Sequence, residues 1–438
     1  MNGDEILPAL LEDLRAARSS IHVSMFLWFH DPIGDEVADV LVEKARRGVA
    51  VRVLVNVEKT GMGDPFSTGE RRMMAHDPSV THDPLDVKSL CRRMRDAGVL
   101  VVDTNIDYDA VISSIGPRLA SVAAQIRSTV AIDDLHIDHR KVVTIDGFIG
   151  YCGGANIGAQ YMYHVPFDPE KDGSEEGEER KAAGLPEPWW KWHDSLTRFE
   201  GPIVRELERH FHERFVLDGG DDFALASEEE AERALSPSPA SRRGFPVAYA
   251  KTFSNQPDSQ PNAVRGLYVR LIGEATRSIF IENPYFYHPD LVDALCRAKE
   301  ERPELDVTLV LAAEAWSDNS LCQDAQQHEY ARYLKCGIAV YEYQRHFNHL
   351  KMAVFDERWS IHGSTNGNFR SLEDDKDFEL VVLVDDEPFA RDILARVRDV
   401  DVRHARRITE ADLDLSIAGL RIRYRDPRTL FLISRREL

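Results

Sequence analysis

A chain of 438 residues, 43% hydrophobic and 29% charged, has the composition of a globular protein and is too long for one ordinary core, so two domains are expected. Its formal net charge of −21 repels polyanions at long range, which argues against a general nucleic-acid binder but allows a local basic pocket for one phosphate. No apolar run of about 18 residues is present to span a bilayer. Met1 to Leu11 also lacks the basic-then-apolar layout of a signal peptide, so cytoplasmic placement with peripheral membrane contact is expected.

Taken in chain order, Ser20 to Phe26 reads as a strand, Asp35 to Arg47 as a helix and Val51 to Val55 as a second strand. Glu58 to Pro84, rich in Gly, Pro, Asp and His, reads as a long excursion. Ala110 to Thr129 is mildly amphipathic, with Val111, Ile112, Ile115, Leu119, Val122 and Ile126 at helix-like spacing. Pro166 to Pro188 is an acidic, solvated loop. Gly219 to Pro246, with Ser236-Pro237-Ser238-Pro239, is the best linker. Beyond it come the strand Ser278 to Glu282, a helix over Pro289 to Glu301, the strand Val307 to Leu311 and a terminal packing helix near Glu410 to Leu420. Strands alternating with helices imply βαβ units, hence an α/β fold in which each domain is a mixed, mostly parallel sheet flanked by helices. The expected division is 1–218, linker 219–246, and 247–438.

An internal repeat unites the two halves. His139-Arg140-Lys141 runs on to Asp146 and then to Gly153-Gly154-Ala155-Asn156. At an offset of 210 residues, His349-Leu350-Lys351 runs on to Asp356 and then to Gly363-Ser364-Thr365-Asn366. Two copies of H-x-K-x4-D followed by G-[GS]-x-N in one register are a strong signal. In a strand, residues i and i+2 share a face. His139 therefore points with Lys141, and His349 with Lys351, so each half offers an imidazole and an ammonium to one cavity.

That combination suits a phosphodiester. One histidine can attack phosphorus while neutral, and the other can protonate the departing alkoxide while charged. Lys141 and Lys351 would neutralise charge on the phosphate oxygens, and Asn156, Asn366 and Ser364 are candidate donors to substrate. No His and carboxylate cluster at metal spacing stands out, so neither metal nor other cofactor is expected. Asp146-Gly147 is a hairpin-turn dipeptide and Asp356 sits at the equivalent turn, so both aspartates are expected to serve structure rather than acid–base chemistry.

The paired motifs resemble those of the phospholipase D superfamily. The phrases around Gly153 to Gly158, Trp192 to Ser195, Glu200 to Val204, Ile281 to Phe286 and Asn368 to Leu372 are most similar to bacterial cardiolipin synthases. The resemblance implies two similar phospholipase D-type domains related by pseudo-twofold symmetry, a phospholipid substrate and a phosphohistidine intermediate, with His139 as nucleophile and His349 as acid. It also implies carboxylate partners for the imidazoles: Asp194 for His139, and Glu379 for His349. His193, next to Asp194, is expected to face the other side of its strand. The membrane helices usual in cardiolipin synthases are absent, and the insertions before His139 and Asp194 are unusual. A nuclease of the same superfamily and a non-catalytic phosphate-binding scaffold are the alternatives. The sequence does not discriminate headgroup, acceptor alcohol or oligomeric state.

Among bland readings, Trp189, Trp190 and Trp192 are expected in core or lid packing. Met25 to Phe29 and Tyr285 to Tyr287 are expected at buried strand ends, where some of them can line the pocket and touch substrate. His30, His76, His82, His288, His346 and His362 are expected as surface or core residues. The five cysteines, scattered and odd in number, fit reduced thiols better than a disulfide framework.

Overall fold

The computed structural model describes residues 1–57, 86–104, 137–169, 191–225, 227, 249–255, 261–317, 319–374 and 376–413. Glu58 to Pro84 and Ala110 to Thr129 lie wholly outside them, as do Trp189 and Trp190, most of Pro166 to Pro188 and most of the expected linker. So does most of the expected terminal helix, of which the described part is one 3₁₀ turn at Glu410–Asp412.

Six strands build the first sheet: β1 (Ser20–Met25), β2 (Ala50–Val55), β3 (Leu100–Asp103), β4 (Val142–Ile145), β5 (Ile149–Gly153) and β6 (Leu196–Glu200). Their spatial order is β3-β2-β1-β4-β5-β6. The first three are mutually parallel, and from β1 onward each neighbour is antiparallel.

The second sheet comprises β7 (Tyr249–Asn255), β8 (Ser278–Glu282), β9 (Asp306–Ala312), β10 (Ala339–Tyr343), β11 (Met352–Phe355), β12 (Trp359–Gly363), β13 (Glu379–Asp385) and β14 (Ala405–Arg407). Within its order β14-β10-β9-β8-β11-β12-β13-β7, the stretch from β10 to β13 repeats the first sheet strand for strand. β14 and β7 are additions that cover its edges. Both sheets are mixed, as expected, with the parallel part confined to three strands (β3-β2-β1 and β10-β9-β8).

Local chemistry sets the helix starts. Helix α1 (Asn2–Ala16) precedes β1. Helix α2 (Pro32–Arg46) begins three residues before the periodicity suggests, because Asp31 caps it, accepting from Gly34 N at 2.8 Å, and Pro32 occupies a first-turn position. Helix α3 (Pro289–Glu301) begins with the same proline placement after His288. Helix α4 (Ile203–Leu217) buries Val204 and Leu207 against Val142 and Cys152, in one apolar cluster with Leu380, Val382 and Val384 of β13. The two halves are thus joined by a shared core as well as by chain. No described helix is long and apolar enough to cross a membrane.

The motif aspartates close equivalent hairpins. Asp146 and Gly147 both have positive φ, as do Asp356 and Glu357, the backbone of a type I′ turn. Asp146 accepts from the backbone N–H groups of Arg18, Ser19 and Ser20. Asp356 accepts from those of Thr276, Arg277 and Ser278. Each carboxylate therefore ties its hairpin to the start of the neighbouring central strand, at the end of the sheet away from the histidines.

One expectation is corrected here. Cys296 of α3 and Cys336 form a disulfide, with Cα atoms 5.3 Å apart. Forty residues separate them in sequence, so their meeting depends on how the helices pack, and spacing does not reveal it. Cys91 and Cys152 are buried thiols outside any disulfide, and Cys322 is a partly buried thiol that accepts from the Tyr287 hydroxyl.

Candidate active site

Two crossing segments assemble the site. The residues leading to His139 run beside those leading to Glu379: Phe378 N donates to Ile137 O at 2.8 Å, and His139 N to Phe378 O at 3.0 Å. The residues leading to His349 run in the same way beside those leading to Asp194. There His193 N donates to Phe347 O at 3.0 Å, and His349 N to His193 O at 2.9 Å. Each half thus lends a short strand to the motif of the other.

The imidazole partners follow from this crossing. His139 Nδ1 lies 2.9 Å from Glu379 Oε1, and His349 Nδ1 lies 2.6 Å from Asp194 Oδ2. Both expected pairings are therefore corrected: each histidine takes its carboxylate from the opposite half. The reason is the strand order. Within one half, β4 and β6 are separated by β5, so His139 and Asp194 stand two strand spacings apart, about 10 Å. The same holds for His349 and Glu379 across β12.

Lys141 and Lys351 point with their histidines, as the period of two requires. Each Nζ donates to the carbonyl of its own histidine, at 2.6 Å in both halves. The two sets share one electrostatic field. Lys351 acts on His139, and both His139 and Lys141 act on His349. Phe26 lies edge-on to His139 and also under the Lys141 ammonium, about 5.0 Å from each. Tyr161, Trp192 and Phe347 surround His349.

The two dyads differ electrostatically. Burial pushes the Glu379 carboxyl up, but the His139 charge and hydrogen bond, Lys141 and the Ser364 hydroxyl outweigh it and hold the group below its ordinary range. Ser371 also donates to Glu379, at 2.5 Å. Asp194 has the backbone N–H of Ser195 at 2.7 Å, and burial pushes its carboxyl up to about 7. Burial first, then Lys351, Lys141 and His139, drive the His349 imidazole well below its usual range. The environment thus favours Glu379 as the anion beside His139 Nδ1, whereas it makes the Asp194 carboxyl beside His349 far easier to protonate. The same burial lowers His139, with Lys141 adding to it, and brings the Lys141 ammonium down to about 7.

Position 154 accounts for part of the difference. Gly154 leaves no room for a side chain, since a Cβ there would overlap the Asp194 carboxylate. Its counterpart Ser364 presents a hydroxyl that donates to Glu379. Ser364 was expected to touch substrate; it is buried, bonded to the carboxylate and to Leu380 N. Asn156 is likewise buried, with its Oδ1 accepting from Leu27 N at 3.0 Å, where it holds the loop after β1. Asn366 Oδ1 is buried without a hydrogen-bond partner. Ser371 went unrecognised as a member of the site, whereas Phe26 belongs to the strand end expected to line the pocket. The one sequence-level signal for the asymmetry was Gly against Ser within G-[GS]-x-N.

His193 faces away from the dyads, as expected of a strand neighbour. The sequence shows no metal-spaced cluster, yet His193, Glu282 and Asp401 lie with one ligand atom each within 4.8 Å of one another. They come from distant parts of the chain, so spacing could not indicate it.

Comparison with known proteins agrees with this architecture. The family described as "Cardiolipin synthase, PLD-like domain" matches residues 10–165 and 268–399, one stretch in each half. Cardiolipin synthase 1 of Bacillus anthracis is 25% identical over 93% of this chain and 66% of its own length. Probable cardiolipin synthase YwiE of Bacillus subtilis is 26% identical over 91% of this chain and 64% of its own. The chain thus spans just under two thirds of the length of these relatives. The crystal structure of phosphatidylserine synthase from Haemophilus influenzae superposes with a TM-score of 0.61 over 99% of this chain and 91% of that one, at 14% identity, a likeness of fold. With a motif in each half and reciprocal histidine–carboxylate pairs across them, the chain belongs to the phospholipase D-like family of cardiolipin synthase domains.

Proposed function

We propose that this protein transfers phosphatidyl groups between glycerophospholipids and an alcohol or water through a phosphohistidine, in the manner of a cardiolipin synthase, with peripheral contact at a membrane surface. The observation that carries the reading is the pair of dyads, in which Lys351 acts on His139 and both His139 and Lys141 act on His349. His139, its Nδ1–H held by anionic Glu379, has a lone pair on Nε2 for attack on phosphorus. The P–O bond to the departing alcohol breaks as P–N forms, and His349 gives the alkoxide its proton. An incoming hydroxyl then returns a proton to His349, attacks phosphorus and displaces His139. The anionic phosphodiester itself favours charged lysines and a charged His349, opposing the effect of burial.

The unequal dyads support His139 rather than His349 as nucleophile, because the firmer anion pairs with the attacking ring. Trapping with labelled phosphatidylglycerol in His349→Ala tests this: label is expected on His139, and label elsewhere overturns the assignment. Side-by-side assays on phosphatidylglycerol, phosphatidylcholine and single-stranded DNA test the substrate class. Headgroup exchange or release supports the proposal, whereas DNA cleavage, or phosphate binding without turnover, refutes it.

A further inference from the structure

We infer that His193, Glu282 and Asp401 bind a divalent transition-metal ion behind the active site, where it clamps the two halves together. All three side chains are buried, with Glu282 at 0%, Asp401 at 2% and His193 at 3% exposure. His193 Nε2 is 3.0 Å from Asp401 Oδ2 and 3.8 Å from Glu282 Oε1. Ligand atoms bound at about 2.1 Å in a tetrahedral site stand about 3.4 Å apart, so these distances bracket what an ion requires.

The hydrogen-bond inventory calls for a cation there. Neither carboxylate oxygen of Glu282 has a donor in hydrogen-bond geometry, although both are buried and the Asn348 amide stands near them. The other imidazole nitrogen of His193, Nδ1, lies 2.7 Å from Asn2 Oδ1. Donating its proton there leaves Nε2 as a lone pair directed at two carboxylates. Burial, then Asp401, push the Glu282 carboxyl well above its usual range, and of its neighbours only the neutral amide of Asn348 acts against them, with no lysine or arginine among the groups that act on it. Held ionised together, two buried carboxylates beside one imidazolium carry a deficit of one positive charge, a costly state in a dry interior. A divalent ion removes the deficit and gives the orphaned Glu282 oxygens a partner. One imidazole with two carboxylates suits Zn2+ or Mn2+.

The ligands join the segment that presents Asp194, the end of β8, and the helical turn Asp399–Asp401. The ion would therefore brace the crossing strand beside His349 while standing outside the reacting atoms. It has a structural and positioning role, independent of which phosphodiester is cleaved.

The test uses the full chain, expressed in medium supplemented with Zn2+ and Mn2+, with metal content measured on the purified protein and melting followed before and after chelation. One equivalent per chain is expected, with a melting temperature about 3 °C higher than that of the stripped protein. Glu282→Gln and Asp401→Asn are each expected to lose at least 10-fold in metal affinity. Glu282→Gln, a neutral isostere, should melt no lower than stripped wild type. The inference is overturned if the wild type carries no metal and gains no stability from either ion, the result expected if the carboxylates merely share a proton. It is equally overturned if both variants retain full metal content. These readouts do not depend on turnover, so they stand whatever the substrate is.

Discussion

At the residue scale, one side chain accounts for part of what separates the two dyads. Gly154 and Ser364 are counterparts in the repeat, yet one makes space for Asp194 and the other donates to Glu379. Gly154→Ala would press its methyl group into the Asp194 carboxylate, and turnover is expected to fall about 10–100-fold. Binding of a soluble phosphodiester should change far less; kcat measured beside a direct binding titration checks this. Ser364→Ala removes a donor that holds the Glu379 carboxyl low. Its pKa then rises, so on acidification Glu379 protonates at a higher pH. The acid limb of the kcat/KM profile is therefore expected to move to higher pH, with the basic limb little changed. A profile that drops in height without moving would sink the role assigned to Ser364.

At the element scale, the motif aspartates support strands rather than chemistry. Asp356 accepts from three successive backbone N–H groups where β8 begins. Asp356→Ala leaves those donors unmet and is expected to cost about 1–3 kcal/mol of unfolding free energy. The kcat of the folded fraction should stay near wild type, which denaturant melts and active-site titration would verify. Much at this scale was legible beforehand. Alternation and turn residues located β1, β2, β8, β9 and α3 nearly to the residue, because these elements bury one face and are punctuated by Gly, Pro and Asp. The start of α2 was missed because its cap Asp31 and first-turn Pro32 precede the stretch that periodicity marks as helix. The Cys296–Cys336 bond was missed because it joins positions that only helix packing brings together.

At the scale of the whole molecule, sequence reasoning named all six charged groups of the dyads and their lysines but married the wrong partners. Spacing along a chain reports which residues belong to a site; it does not report strand order. Only the crossing segments, Asp138 beside Phe378 and His193 beside Asn348, bring Glu379 to His139 and Asp194 to His349. This reciprocity yields a distinguishing experiment. With a p-nitrophenyl phosphodiester, whose leaving group departs without a proton, Asp194→Asn impairs only the turnover of the intermediate. It is therefore expected to keep a burst of nitrophenolate and to accumulate phosphohistidine. Glu379→Gln disarms the attacking ring and is expected to abolish the burst. Identical bursts from both variants would show that the dyads are not specialised.

The crossed segments also constrain how the protein can move. Because either half grips the other's histidine, a hinge opening of even an ångström or two would slacken both pairs in one stroke. Reagents must then come and go past the rim while the halves stay clasped, and the machinery works whole or not at all.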